Sequence, residues 1–275
     1  MRFPAWYKRL NRSVGKAICS YDMISEGDRI AVGISGGKDS LVLLSLLKRR
    51  MAYVPVRYDL VPIYIDPGFT PSPAPVIEAF CRDMGLTPKI IFTDNGLVAH
   101  GPENRENPCF LCARLRRKAL FEATLALGCN KLALGHHKDD LIETFFINVL
   151  YSGQICTMIP VQHFFQGKFT MIRPLAYSDE SHIRIFADKS GLPVVSNPCP
   201  SAHISKRSEI KSLLNQLYRT NKKVRGNIFC ALHHVNPDFM LSSAPLHLSA
   251  PENANHTPAE STDPARIHPP TENFR

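Results

Sequence analysis

The sequence predicts an α/β protein, a parallel sheet sandwiched by helices, with a leading helix and a small helical C-terminal extension. Three observations lead there. Short apolar runs recur along the chain: RIAVGIS (29–35), YDLVPIYID (58–66), TPKIIFTD (87–94) and NKLALGH (130–136). Stretches of helical periodicity separate them, the alternation that covers both faces of a parallel sheet. Two of the runs open into polar, glycine-containing turns, GISGGKDS (33–40) and GHHKDD (135–140). Such sheets bind ligands at these carboxyl ends of their strands.

The other elements follow in chain order. Residues 8–24 read as a leading helix rich in Lys and Arg. SLVLLSLLKRR (40–50) has an apolar face and a cationic last turn, the charge its C-terminal dipole favours. The Pro-rich loop PGFTPSPAP precedes a helix at about 75–85, and a loop with Gly, Pro and Asn leads to Cys109. Helical periodicity runs over about 110–127, and KDDLIETFFINVLYSG (138–153) is a helix stopped by glycine. FFQGKFTMIRP (164–174) reads as a hairpin around Gln166-Gly167. SDESHIRIFADKSG (178–191) opens with serine and acids and closes at glycine, as a capped helix does. Residues 204–233 are helical and basic, and from 242 the chain is polar, Pro-rich and aperiodic, the composition of a disordered tail. The expected organisation is a basic helix at 1–28, an α/β domain at 29–195, a helical segment at 196–241 and a disordered tail at 242–275.

The 275 residues suffice for one good core, and a hydrophobic share of 44% with a charged share of 21% is ordinary for a globular protein. A formal net charge of +9 favours a polyanionic partner such as nucleic acid. The first twenty residues lack the apolar core and cleavage site of a secretory signal, and no apolar run approaches the roughly 18 residues that span a bilayer. The expected location is the cytoplasm, with no membrane partner. There the eight cysteines stay reduced and serve as buried thiols, metal ligands or catalytic groups.

GISGGKDS has the look of a phosphate cradle but fails both common patterns. Val32 stands where the first glycine of G-x-x-x-x-G-K-[ST] belongs, and Ser35 where the second glycine of the dinucleotide fingerprint belongs. Gly36 and Gly37 let backbone N–H groups approach an anion, the following helix points its positive end at the same spot, and Lys38 adds a full charge. Asp39 is repulsive beside a phosphate unless a divalent cation lies between them. Ser35, Gly36, Gly37, Lys38, Asp39 and Ser40 therefore read as a site for a Mg-bound phosphate. In GHHKDD, Asp139 and Asp140 either hold Mg2+, position substrate or cap the next helix. Gly135 and Asp66 are further candidates for the nucleotide pocket, and no chemistry is assigned to His136 or His137.

PCFLCARLRRK (108–118) places Cys109 and Cys112 three residues apart, on one side of a helix N-terminus that lowers thiolate pKa. No second C-x-x-C completes a four-cysteine zinc site, and Cys199 in SNPCPSA is the best third ligand. Three ligands leave one position open, the mark of a reactive site. Cys19, Cys81, Cys129, Cys156 and Cys230 read as buried thiols. Arg114, Arg116, Arg117 and Lys118 adjoin the cysteine pair and suggest an RNA backbone nearby. Lys206, Arg207 and Lys211, then Arg219, Lys222, Lys223 and Arg225, extend the charge.

The SGGKDS loop resembles the signature of the PP-loop ATP pyrophosphatase superfamily, with its adenine nucleotide alpha hydrolase-like fold. YDMISEGDRIAVGISGGKDS, CFLCARLRRKAL, KLALGHHKDDLIETFFINVLYSG and MIRPLAY together resemble its tRNA 2-thiocytidine synthetase family over roughly residues 8–235. The resemblance implies ATP, Mg2+ and a [4Fe-4S] cluster held by Cys109, Cys112 and Cys199. It implies adenylation of the C2 oxygen of cytidine at tRNA position 32, followed by displacement of AMP by sulfur. Lys38, Asp39, Asp139 and Asp140 would be catalytic. It also implies a tRNA partner, a sulfur donor system such as a cysteine desulfurase, and allows a homodimer. Many relatives carry a second cysteine three positions before the one matching Cys199, where this chain has Ser196. Three alternatives stay open: lysidine synthetase or another tRNA thiolase, a persulfide carried on Cys109 or Cys199 without iron, and a metal-containing RNA-binding module with no catalysis.

Overall fold

The computed structural model describes residues 3–195, 199 and 206–241. The expected tail at 242–275 and Ser196 lie outside the described residues. Two compact units divide the chain, Met1–Val224 and Arg225–Arg275, so the expected segments 1–28 and 29–195 form one packing unit.

The first unit begins with α1 (Ala5–Ser20), whose Tyr7, Leu10, Val14 and Ala17 repeat at helical spacing and are buried. It starts and stops earlier than the 8–24 expected, because Pro4 opens it and Asp22 takes a left-handed φ of 45° just past its end. Then follow β1 (Asp28–Ile34), α2 (Lys38–Arg50), β2 (Tyr58–Asp66), α3 (Ala74–Asp83) and β3 (Lys89–Phe92). A short helix that periodicity did not reveal, α4 (Asn95–His100), precedes α5 (Pro108–Ala126). The Asn107 side chain caps α5 by accepting from the N–H groups of Cys109 and Phe110, so the Cys pair sits in the first turn. β4 is only Lys131–Ala133, and α6 (Lys138–Ile147) continues as a π-helical turn, Asn148–Ser152, stopped by Gly153 at φ 64°. The hairpin of β5 (Val161–Phe164) and β6 (Phe169–Ile172) turns through Gln166 and Gly167, both at positive φ. α7 (Glu180–Lys189) and α8 (Lys206–Thr220) complete the unit.

The six strands run in the order β3-β2-β1-β4-β6-β5, all parallel except β5, which pairs antiparallel with β6. Alternation along β1 assigns the faces. Ile30, Val32 and Ile34 join the core formed with α1, α2, α3 and α7, whereas Ala31 joins Ile63, Ile65, Phe121 and Leu132 beneath α5. Both faces are thus covered, as parallel strands require. Strand order reverses at β1: β2 lies on one side of it and β4 on the other. Crevices at such reversals are where open α/β sheets bind ligands. The loop after β1 and the loop after β4 flank this crevice.

In the second unit, α9 (Val224–Ala231) is followed by His233 and His234, whose Nδ1 atoms bond back to the carbonyls of Phe229 and Cys230. Cys81 and Cys129 are buried as expected, but Cys19, Cys156 and Cys230 are exposed. Cys19 lies off the buried stripe of α1, and Cys156 sits in the loop beyond the π-helical turn, its Sγ 3.2 Å from Asn148 Nδ2.

Candidate active site

The loop after β1 is tied by its serines. Ser40 Oγ donates to the Gly37 carbonyl (2.9 Å) and accepts from the Ser35 N–H (3.1 Å). Gly36 has φ +78°, and a Cβ there would lie 2.2 Å from Val195 Cγ2. Val195 in turn donates its N–H to the Gly36 carbonyl at 3.1 Å. Gly135 packs against the same turn, since a Cβ on it would stand 3.0 Å from Asp39 C and Ser40 N. The first N–H groups of α2, which no intrahelical carbonyl can satisfy, open into this space. These are the features of a polyanion cradle.

Charged groups from four helices converge beside it. Lys38 Nζ lies 3.3 Å from Asp39 Oδ2 and 3.0 Å from Glu180 Oε1, and Lys211 Nζ lies 2.8 Å from Glu180 Oε2. Burial alone would raise Glu180, but hydrogen bonds from Lys211 and Lys38 hold it down at about 2. Burial would lower Lys38, but Asp39 and Glu180 outweigh it and push the ammonium upward. Asp39 is pushed up by burial, against the pull of Lys38 and His137. Its Oδ1 is buried without a hydrogen-bond donor among the described residues, with His137 Nε2 at 3.7 Å.

The β4 loop supplies the opposite wall. Asp139 is 6% exposed and its Oδ2 accepts the Glu180 N–H at 2.8 Å, which pins the start of α7 to that of α6. Asp140 accepts the His137 N–H at 2.9 Å, the capping role, and also meets Arg207 Nη1 at 3.2 Å. Glu143, buried on the same helix, is pushed up to about 7 by burial and by Asp140. Loss of solvent and the nearby Arg173 guanidinium hold His136 at about 4, and Arg173 Nε donates to its Nδ1 at 3.3 Å.

Several of these groups were not singled out from the sequence. His137 lies among Asp39, Asp139 and Asp140, within 3.9 Å of each. Glu143, Arg173 and Glu180 carry no motif of their own. Arg207 and Lys211, read from the sequence only as an extension of the basic charge, turn onto Asp140 and Glu180, where α8 packs against α6. Asp66 is 2% exposed and holds its own loop, accepting from the Gly68 N–H (2.8 Å) and the Ser72 hydroxyl.

Cys109, Cys112 and Cys199 are all half-buried. Burial pushes the Cys112 thiol up, Arg116 pulls it down, and Cys199 and Cys109 raise it again, so all three sulfurs lie within electrostatic reach. Cys199 Sγ is also 3.7 Å from Nε2 of His100, whose Nδ1–H donates to the Gly96 carbonyl. Among the described residues no group of three or more such side chains is arranged to hold a metal ion as it stands. The thiols are neighbours rather than a closed single-ion cage. Arg116 acts on both Cys112 and Tyr64 of β2, and Arg117 acts on Arg173, so this turn of α5 faces the strand ends. Arg114 pairs with Glu106 at 3.1 Å and stacks over Phe110, while Lys118 reaches Glu122 at 3.9 Å.

Comparison with known proteins bears on this arrangement. Residues 7–217 match a family model described as the PP-loop domain. The chain is similar to the tRNA-cytidine(32) 2-sulfurtransferase of Syntrophotalea carbinolica, 37% identical over 241 residues, 86% of this chain and 93% of that one. It is 40% identical over 240 residues to the protein of the same name from Citrifermentans bemidjiense, covering 86% and 94%. Among solved structures it resembles the U34-tRNA thiolase NcsA from Methanococcus maripaludis with its [4Fe-4S] cluster. That likeness has a TM-score of 0.71 at 26% identity, over 84% of this chain and 80% of that one. No helix among the described residues is long and apolar enough to cross a membrane. The chain belongs to the PP-loop family and, within it, to the family of the tRNA-cytidine(32) 2-sulfurtransferases.

Proposed function

We propose that this chain is an ATP-dependent tRNA sulfurtransferase that converts cytidine 32 to 2-thiocytidine. One observation carries the reading beyond family membership. Val195, bonded to Gly36 of the nucleotide loop, precedes Cys199 by four residues, a length of chain that spans about 14 Å at most. The third thiol is therefore tethered to the ATP-binding turn, and it acts electrostatically on Cys112.

The C2 carbonyl of cytidine is amide-like and a poor electrophile. Attack by its oxygen on the α-phosphorus of ATP expels pyrophosphate and turns that oxygen into the leaving group AMP. Sulfur then adds at C2 and AMP departs. Ser35, Gly36, Gly37 and Ser40 shape the cradle, the α2 N–H groups face the polyphosphate, and Lys38 stabilises charge on the departing pyrophosphate. The orphaned Asp39 Oδ1 suits a Mg2+ ion that also neutralises the phosphates. Five carboxylates, Asp39, Asp139, Asp140, Glu143 and Glu180, surround three cations here, so a polyphosphate needs such an ion to approach. Asp139 holds the Glu180 backbone and Asp140 holds the β4 loop, which keeps the two walls in register. Cys109, Cys112 and Cys199 form a soft donor set that fits a [4Fe-4S] cluster with one iron free of protein ligands. When bound, that cluster supplies the incoming sulfur. A sulfur donor such as a cysteine desulfurase would be the protein partner, and Arg114, Arg116, Arg117 and Lys118 attract the tRNA backbone.

The test is nucleoside mass analysis of tRNA from a strain lacking the gene, complemented with the wild-type chain or with Cys199→Ala. The wild type restores 2-thiocytidine and the variant does not. Restoration by neither, with the wild type expressed and folded, would refute the assignment.

A further inference from the structure

We infer that Lys211 is a second cation of the pyrophosphate site, held ready by Glu180. This deepens the proposed function and rests on its ATP-binding reading. The two ammonium groups of Lys38 and Lys211 take opposite oxygens of the one Glu180 carboxylate, at 3.0 and 2.8 Å. They therefore stand roughly 8 Å apart at most, two hydrogen bonds and one carboxylate width. A pyrophosphate, with anionic oxygens at both ends, can bridge that span.

Glu180 is well placed to hold this pair in register. Its backbone N–H donates to Asp139 at 2.8 Å, which anchors the start of α7, and its carboxylate is held from both sides by Lys38 and Lys211. Lys211 can move, since its side chain is 44% exposed and, among the described residues, Glu180 is the carboxylate it pairs with. A phosphate arriving with its divalent cation offers Lys211 a more highly charged acceptor than Glu180 does. The ammonium exchanges one anion for the other, and Glu180 keeps Lys38 oriented meanwhile. Lys211 and Arg207 both lie on α8, twelve and eight residues beyond Cys199, so the helix that carries the second cation follows the third thiol in the chain.

The experiment is calorimetric titration of the full chain with Mg-pyrophosphate, Mg-ATP and AMP. Lys211→Met is compared with Lys211→Arg and with Lys223→Met at an exposed lysine outside the site. Lys211→Met is expected to weaken pyrophosphate and ATP binding about tenfold, the loss of one charge-assisted contact, and to leave AMP affinity unchanged. Lys211→Arg keeps most of the affinity, and Lys223→Met binds as the wild type does. Unaltered pyrophosphate binding by Lys211→Met would overturn the inference, as would an equal loss for AMP, which marks a merely structural lysine. A wild-type chain that binds neither ATP nor pyrophosphate would instead remove the nucleotide reading itself.

Discussion

Gly36→Ala tests whether the nucleotide loop and the segment leading to Cys199 are one mechanical unit. Two separable costs follow from the geometry. The residue has φ +78°, where an L side chain costs roughly 1–2 kcal/mol. The new Cβ would also stand 2.2 Å from Val195 Cγ2, an overlap that forces the Val195 side chain or the backbone beside it to shift, at about 1–3 kcal/mol. Together about 2–5 kcal/mol corresponds to a fall in Tm of roughly 4–20 °C. Val195→Ala removes the offending methyl but cannot relieve the φ strain. Thermal unfolding of both single variants and the double variant isolates the overlap as a coupling of about 1–3 kcal/mol. The double variant should therefore unfold at a higher temperature than Gly36→Ala alone. Strict additivity would refute the contact and, with it, the tether that brings Cys199 to the loop.

Three further outcomes follow. Glu143 titrates at about 7 in the folded protein against 4.5 ordinarily, so the unfolded chain binds fewer protons between those values and stability falls as pH rises through that window, by up to about 3 kcal/mol. Glu143→Gln should flatten the Tm–pH profile from pH 5 to 8 and raise Tm at pH 8; an unchanged profile contradicts the burial argument. Cys199→Ala should bind ATP normally while losing iron, sulfide and thiolation; wild-type iron content in an anaerobic preparation would remove Cys199 from the ligand set. tRNA binding that neutralises six phosphates should show a log–log salt slope of about −5, and removing Arg114, Arg117 and Lys118 should shrink it by about 0.9 per lost contact. A slope near zero would remove RNA from the basic turn of α5.

What could be read from the chain was local pattern. Alternation of apolar runs with helical periods gave the parallel sheet, and Gly-Gly-Lys-Asp-Ser gave the cradle, because both depend on neighbours in sequence. The charge pairing did not follow that way. Glu180, Arg207 and Lys211 are ordinary acids and bases on amphipathic helices, and only the packing of α7 and α8 beside α2 and α6 sets Glu180 against Lys38 and Lys211, and Arg207 against Asp140. His137 likewise becomes a site residue through what surrounds it: it is buried between the starts of α2 and α6, where three carboxylates meet. Asp66 has a structural role that the sequence did not reveal. Its place at a strand end suggested the nucleotide pocket, and its two carboxylate oxygens also tie down the Pro-rich loop that follows, each accepting a hydrogen bond from it. α4 is six residues long and carries too few turns for a period to appear.

The central claim is that this chain activates a nucleobase carbonyl at the α-phosphate of ATP before sulfur enters. The most direct measurement follows an oxygen atom. tRNA carrying 18O at the C2 carbonyl of cytidine 32 is thiolated once by the cluster-loaded protein, and the nucleotide products are weighed by mass spectrometry. The account predicts AMP heavier by one 18O, unlabelled pyrophosphate and 2-thiocytidine in equal amount. Label appearing in pyrophosphate or water, with light AMP, would contradict it.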